Sequence, residues 1–344
     1  MLPTLRTGSP TDRPGGRGSA ARTVTATVAL TVVGALALAG CEADRRAAEG
    51  TAPNVTQDDV VVSGTAWLPP QLSYAAPLTV TGSRRETVWQ GLGPTVHDGD
   101  VVVLDTYAED GRTRKVVSNT WAAAPRPVRV SQRTLGSELR TLVVGKPSGS
   151  RYLDVAQSDG VPLVSTVDVL PGRAVGDTVP QDPDVPQVKR ADDGTPTVTI
   201  PKKAKAGDDL TVLPLIKGSG PQIEAGQLVT VQYTGVVWST GKTFASTWGD
   251  DQLPANVRIG VGDVIEGWDQ GLLQVPVGSE VLLVVPPSLG YQDTASKLAD
   301  QTLVYVVDIL DAHDPGIGPE PGSTVSPTPA PTAGGATSKG ASAP

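Results

Sequence analysis

Hydrophobic and polar positions alternate along much of this chain with the two-residue period of β-strands. Val229, Val231 and Tyr233 alternate with Thr230, Gln232 and Thr234, which predicts a half-buried strand with one wet face. Residues 281–285 form a continuous apolar run closed by Pro286 and Pro287, neither of which can donate to a ladder. Leu303, Tyr305, Val307 and Ile309 share one face of a final strand. Between these strands, Val264-Ile265-Glu266-Gly267-Trp268 leads into a short helix expected over 269–273. The economical reading is an α+β fold, mostly antiparallel β, with a twisted sheet wrapped on one short helix.

A second strand-rich region lies upstream, at 60–170, with apolar segments at 101–104, 127–130 and 163–170 between Gly, Pro and Asp turns. The two regions align in order. Gly91-Leu92-Gly93-Pro94 meets Gly218-Ser219-Gly220-Pro221, and Val128-Arg129-Val130 meets Val257-Arg258-Ile259. Val167-Asp168-Val169-Leu170 meets Val307-Asp308-Ile309-Leu310. The offset runs from 127 (91 to 218) to 129 (128 to 257) and grows to 140 (167 to 307) only at the last strand, as a longer loop in the second region would produce. Order and steady offset favour two tandem copies of one fold over coincidence between generic β patterns.

The ends differ in kind. Arg6, Arg13, Arg17 and Arg22 precede an uncharged apolar stretch at 23–40, and Leu38-Ala39-Gly40-Cys41 matches the bacterial lipobox. Residues 1–40 therefore read as a lipoprotein signal peptide, with lipid on Cys41 anchoring the chain to the outer face of the cell membrane. A plain transmembrane anchor is the competing reading, since ~18 apolar residues can just span a bilayer. Cys41 is the chain's one cysteine, so no disulfide can form within it. Residues 41–59 read as a tether, 171–196 as a Pro/Asp/Gly-rich linker and 314–344 as a disordered Pro/Thr/Ser/Ala-rich tail. The net charge of −8 and the lack of a basic stripe beyond the N-terminal segment argue against a nucleic-acid partner. Only His97 and His313 are present, too few for a convincing metal or histidine-based catalytic site.

Within the second copy, 197–313, the motif around Trp268 joins Tyr233-Thr234-Gly235, Phe244, Pro286-Pro287-Ser288-Leu289-Gly290-Tyr291 and Leu303-Val304-Tyr305. This ordered set, over 210–310, resembles the FKBP-type peptidyl-prolyl isomerases, a family that binds macrolides such as rapamycin. The resemblance implies a pocket with Trp268 as the floor beneath a proline ring and Tyr233, Phe244, Val264, Ile265 and Tyr305 as its walls. It also implies two donors to ligand carbonyls, the backbone N–H of Ile265 and the phenol of Tyr291. Partners would be proline-containing unfolded or exported polypeptides, and macrolides. No cofactor is implied.

The chemistry agrees with that composition. Prolyl isomerisation needs no nucleophile or metal; the planar X-Pro amide loses its resonance, and part of its charge separation, in the twisted transition state. An apolar, dry pocket favours the twisted form. Several positions depart from the family pattern. Ala245 stands where an Asp commonly reaches into the pocket, Ala255 and Val257 replace rim aromatics, and Gln292 opens an altered 292–302 loop. These changes predict reduced activity. They keep a second reading open, a non-catalytic binding module or chaperone on the same fold. In the first copy the alignment puts Val117 at the Phe244 position, Gly136 at Ile265 and Leu139 at Trp268, with no counterpart of Tyr291, so that copy is expected to lack a pocket.

Overall fold

Two antiparallel sheets built on one strand order dominate the computed structural model, which describes residues 55–292 and 294–316. The expected signal peptide, Cys41 and all but the first residues of the expected tail lie outside the described residues.

A small hairpin of β1 (Val61–Ser63) and β2 (Gln71–Ser73) precedes the first sheet. That sheet contains β3 (Arg84–Trp89), β4 (Val101–Asp110), β5 (Val116–Asn119), β6 (Arg126–Arg129), β7 (Ser150–Ser158) and β8 (Val161–Pro171). Helix α1 (Gln132–Val143) lies between β6 and β7, capped by Ser131 and interrupted at Gly136, whose φ is +71°. The strand order is β3-β7-β8-β4-β5, with β6 also on β4.

Next come β9 (Asp177–Thr178) and the hairpin of β10 (Gln187–Arg190) and β11 (Pro196–Thr199). The second sheet adds β12 (Thr211–Lys217), β13 (Leu228–Val237), β14 (Thr243–Ser246), β15 (Ala255–Arg258), β16 (Glu280–Val285) and β17 (Leu303–His313), with α2 (Glu266–Gly271) between β15 and β16. Its order is β14-β13-β17-β16-β12-β9, with β15 on β13. Exchanging β3 through β8 for β12 through β17 in sequence reproduces the first sheet. Individual hydrogen bonds repeat as well. Gly149 N–H donates to Val169 O at 2.6 Å and Gly278 N–H to Ile309 O at 2.8 Å; Gly93 donates to Ser148 O and Gly220 to Val277 O, both at 3.0 Å. The late growth of the offset has a plain origin. β7 and β8 join through the tight Asp159-Gly160 turn, both residues at positive φ, whereas β16 and β17 are joined by residues 286–302.

Each sheet packs one face on its helix. Val102, Leu104, Val167 and Val169 meet Leu135 and Val143 in the first, and Val229, Val231, Tyr233 and Tyr305 meet Trp268 and Leu272 in the second. The opposite faces are covered too, which corrects three expectations. Residues 171–196 are not a linker. β9 extends the second sheet at β12, and the β10–β11 hairpin packs Val188, Val198 and Ile200 on Leu282, Val284, Val304 and Val306. Residues 55–59 are not part of a tether, because Val55 packs against the core beneath the first sheet and Arg84 donates to the Gln57 and Val60 carbonyls at 2.9 Å. Strand β13 has no wet face either. Thr230, Gln232 and Thr234 are all buried. Single apolar residues in a polar stretch become core once a sheet face is available to cover.

Between the sheets, Val103 and Leu170 meet Leu310 and Trp67. Arg129 donates to the Gly249 and Asp250 carbonyls at 2.7 and 3.1 Å, and the Ala174 N–H donates to Asp308 at 2.7 Å.

Candidate active site

Trp268 owes its place to two glycines. Helix α2 starts at Glu266, three residues before the predicted start, so Trp268 is on the helix itself. A Cβ on Gly267 would sit 2.5 Å from Val285 Cγ1, and one on Gly271 2.9 Å from Leu283 Cδ2. Four residues apart, these glycines share a helix face and let it lie directly on β16. Trp268, next to the first of them, is driven inward and is 0% exposed.

Two aromatic rings close on it and a third stands behind them. Tyr233 meets the Trp268 indole at 5.1 Å between centroids and 89° between planes, and Tyr305 meets it at 5.3 Å and 82°. Phe244 stands edge-on to Tyr305 at 5.6 Å. These edge-to-face contacts suit the ring quadrupoles. Gly235 makes the crowding possible: it pairs with Ala245 on one side and Tyr305 on the other, and a Cβ there would sit 2.7 Å from Phe244 Cζ. Val264 and Ile265 belong to the same buried cluster, while Phe244 and Tyr291 are half-buried at its edge. All seven residues expected from the sequence therefore meet at one place.

The loop before the helix is tied down by Asp269, which accepts the N–H groups of Gly260 and Gly262, both at 2.7 Å. Both glycines have left-handed φ, +80° and +82°. This clasp sets the direction of Val264 and Ile265. Among the described residues the Ile265 N–H makes none of the loop's backbone hydrogen bonds. Tyr291 follows a 3-10 turn at Pro287–Leu289, and its carbonyl accepts from the Thr294 N–H and hydroxyl at 3.0 and 2.7 Å.

The FKBP-type peptidyl-prolyl cis-trans isomerase family model matches residues 220–310, the span that holds this cluster. The FK506-binding protein of Streptomyces anulatus is 39% identical over 106 residues, which cover 30% of this chain and 85% of that protein. FK506-binding protein 1 of Aspergillus oryzae is 36% identical over 106 residues, 28% of this chain and 91% of that one. The probable FK506-binding protein of Corynebacterium glutamicum is 30% identical over 119 residues, 34% and 98%. The chain belongs to the FKBP-type peptidyl-prolyl cis-trans isomerase family. It is thus an isomerase of X-Pro bonds that acts in protein folding, and family membership favours this over a binding module without turnover.

The aromatic cluster is apolar but not without donors. Burial pushes the Tyr233 and Tyr291 phenols up, and holds Tyr305 well above the ordinary tyrosine range. All three stay neutral and able to donate at physiological pH. Among the described residues, Trp268 Nε1 and the Tyr305 hydroxyl are buried with no hydrogen-bond partner. The first sheet has no such cluster. Val117 is exposed on β5, Gly136 breaks α1, and the two-residue turn after β7 leaves no loop for a counterpart of Tyr291.

Proposed function

We propose that the Trp268 pocket isomerises X-Pro bonds in exported polypeptides, on a chain held at the outer face of the cell membrane by lipid on Cys41. Trp268 is the floor beneath the proline ring. Tyr233, Phe244, Val264, Ile265 and Tyr305 are the walls, and the Ile265 N–H and Tyr291 phenol hold the carbonyls of the twisted chain. The observation that carries this reading is the aromatic box itself, with a fully buried indole flanked edge-on by two tyrosines. Rotation about a planar amide faces a barrier of about 18–20 kcal/mol. The twisted amide is the less polar form, so a box of ring faces and methyl groups stabilises it over the planar substrate, while two donors at the edge fix its direction.

The same apolar box suits macrolides, consistent with the names of the FK506-binding relatives. The first sheet is a copy of the isomerase domain that has lost the pocket and serves as a spacer or a binding surface. Its support is the shared strand order and repeated hydrogen bonds.

An isomerase assay on a panel of X-Pro peptides tests the chemistry, with the whole chain beside Tyr291→Phe and Trp268→Leu. Catalysis in the parent that falls in both variants is expected. A folded parent that leaves the uncatalysed rate unchanged would sink the assignment. For the anchor, metabolic labelling with an alkyne fatty acid should mark the chain and fail on Cys41→Ala.

A further inference from the structure

The Tyr305 hydroxyl has no apparent reason to be where it is. A phenylalanine would fill the same volume, whereas a buried hydroxyl with no partner is destabilising. Tyr305 is 1% exposed, and its hydroxyl has no hydrogen-bond partner among the described residues. Its ring is gripped by Trp268 at 5.3 Å and Phe244 at 5.6 Å, so it cannot swing away to find water.

The cross-strand neighbours supply no polar side chain. Along the ladder, Tyr305 pairs with Gly235 on one side and Leu283 on the other, and Gly235 pairs in turn with Ala245. In this row of four, the phenol is the sole polar side-chain group. The groups that act on it are the phenols of Tyr291 and Tyr233. Tyr291 is the half-buried one, at the edge of the cluster. Tyr291 packs against the same buried cluster as Tyr305; burial pushes its phenol up, and the nearby Tyr305 hydroxyl partly offsets this. A donor beside a phenol oxygen has that sign, because it favours the phenolate.

We propose that Tyr305 is a positioning residue for prolyl isomerisation. When an X-Pro segment enters, its hydroxyl donates to Tyr291 Oη, which leaves the Tyr291 proton aimed at the substrate carbonyl. Two phenols in series polarise one another, so the outer hydroxyl becomes a stronger donor than a lone tyrosine. The inner one gains the partner it lacks at rest. The inference rests on the isomerase reading of the pocket and adds a second residue behind its edge donor.

Tyr305→Phe, Tyr291→Phe and the double variant test it in the whole chain, with kcat/KM on an X-Pro tetrapeptide and, with that peptide bound, titration of Tyr291 by NMR of ring-labelled tyrosine. Tyr305→Phe should lower kcat/KM about three- to tenfold, the size of one hydrogen bond. It should have no further effect once Tyr291 is Phe, and it should move the Tyr291 titration upward. Full activity with an unmoved titration would overturn the proposal, as would losses that multiply in the double variant. The titration reads the pair without turnover. A parent chain with no activity would therefore refute the function assigned to the pocket, and the shift alone would then decide whether the two phenols are bonded.

Discussion

The imidazole of His313 stands edge-on to the indole of Trp121, with ring centroids 6.2 Å apart and planes at 60°. The last residue of β17 is thereby seated against the first sheet, in a buried polar seam. His313 Nδ1 is 2.7 Å from Asp311 Oδ2, and Arg151 spans to Asp168 with Nη2 at 2.6 Å from Oδ2. Asp105 accepts from the Thr120 hydroxyl at 2.9 Å through one oxygen, while the other has no partner among the described residues. Burial, then the Asp311 charge, pushes the Asp105 carboxyl up to about 8. Burial pulls His313 down, but the hydrogen bond and charge of Asp311, with the Asp105 charge, outweigh it and raise it.

These directions set a sign. Between its ordinary 3.8 and about 8, folded Asp105 holds a proton that the unfolded chain releases, so its contribution falls as pH rises through that window. His313, raised from 6.5, adds stability below that value and loses it as pH rises through its folded titration. The urea midpoint should therefore decline from pH 6 to pH 9. Asp105→Asn keeps a donor at the unpartnered oxygen and removes the titration, so its decline should be shallower. Parallel declines in parent and variant would show that Asp105 does not titrate in this window.

Arg190 and Glu280 carry the second prediction. Glu280 faces Asp308 across β16 and β17, and both are buried. At the matching place in the first sheet, Arg151 faces Asp168, so the charges are balanced within the sheet. In the second sheet the balancing cation comes from the β10–β11 hairpin, where Arg190 Nε donates to Glu280 at 2.7 Å. Arg190→Ala leaves two buried carboxyls facing each other and should cost about 3–5 kcal/mol by urea unfolding. Replacing Glu280 by Leu alongside Arg190→Met should recover most of that loss. A fragment that starts at 197 should be less stable than one that starts at 171.

The glycines of α2 give the third. A methyl at Gly267 collides with both Val285 methyls, at 2.5 and 2.9 Å, in a core with no room to yield. Gly267→Ala should cost about 1–3 kcal/mol as overpacking, and should lower isomerase activity by displacing Trp268. Gly82→Ala is the control, since nothing lies within 4 Å of a Cβ there. Its unfolding midpoint should stay within about 0.5 kcal/mol of the parent.

Much of this cluster is legible in the sequence. Val264, Ile265 and Trp268, the 281–285 run and the aromatics at 233, 244, 291 and 305 all stand in a recognisable order, and they converge in space. What was not legible depends on partners distant in sequence. Val188, Val198 and Ile200 are isolated in a Pro- and Asp-rich stretch and become core only because the second sheet leaves a face to cover. Thr230, Gln232 and Thr234 alternate like a wet face and yet are buried. Alternation reports side-chain polarity, whereas burial depends on what else the chain folds over it. The early start of α2 turns on Gly267, whose bare backbone lets the helix lie on Val285, a contact with a distant strand that local sequence does not report.

Asp269 carries the last prediction, and it separates architecture from chemistry. Its carboxylate clasps the Gly260 and Gly262 N–H groups at 2.7 Å and so fixes the loop that delivers Ile265. Asp269→Asn keeps the size of the side chain but can present only one acceptor oxygen, so one of the two N–H groups loses its partner. Losing one charge-assisted bond should cost about 1.5–3 kcal/mol of stability. Because the loop also aims the Ile265 N–H, the variant should raise KM for X-Pro peptides more than it lowers kcat. Tyr291→Phe removes a donor directly and should show the larger fall in kcat. If Asp269→Asn instead lowers kcat with KM unchanged, the loop does not hold the bound substrate, and Asp269 acts on the twisted state through the helix that carries Trp268.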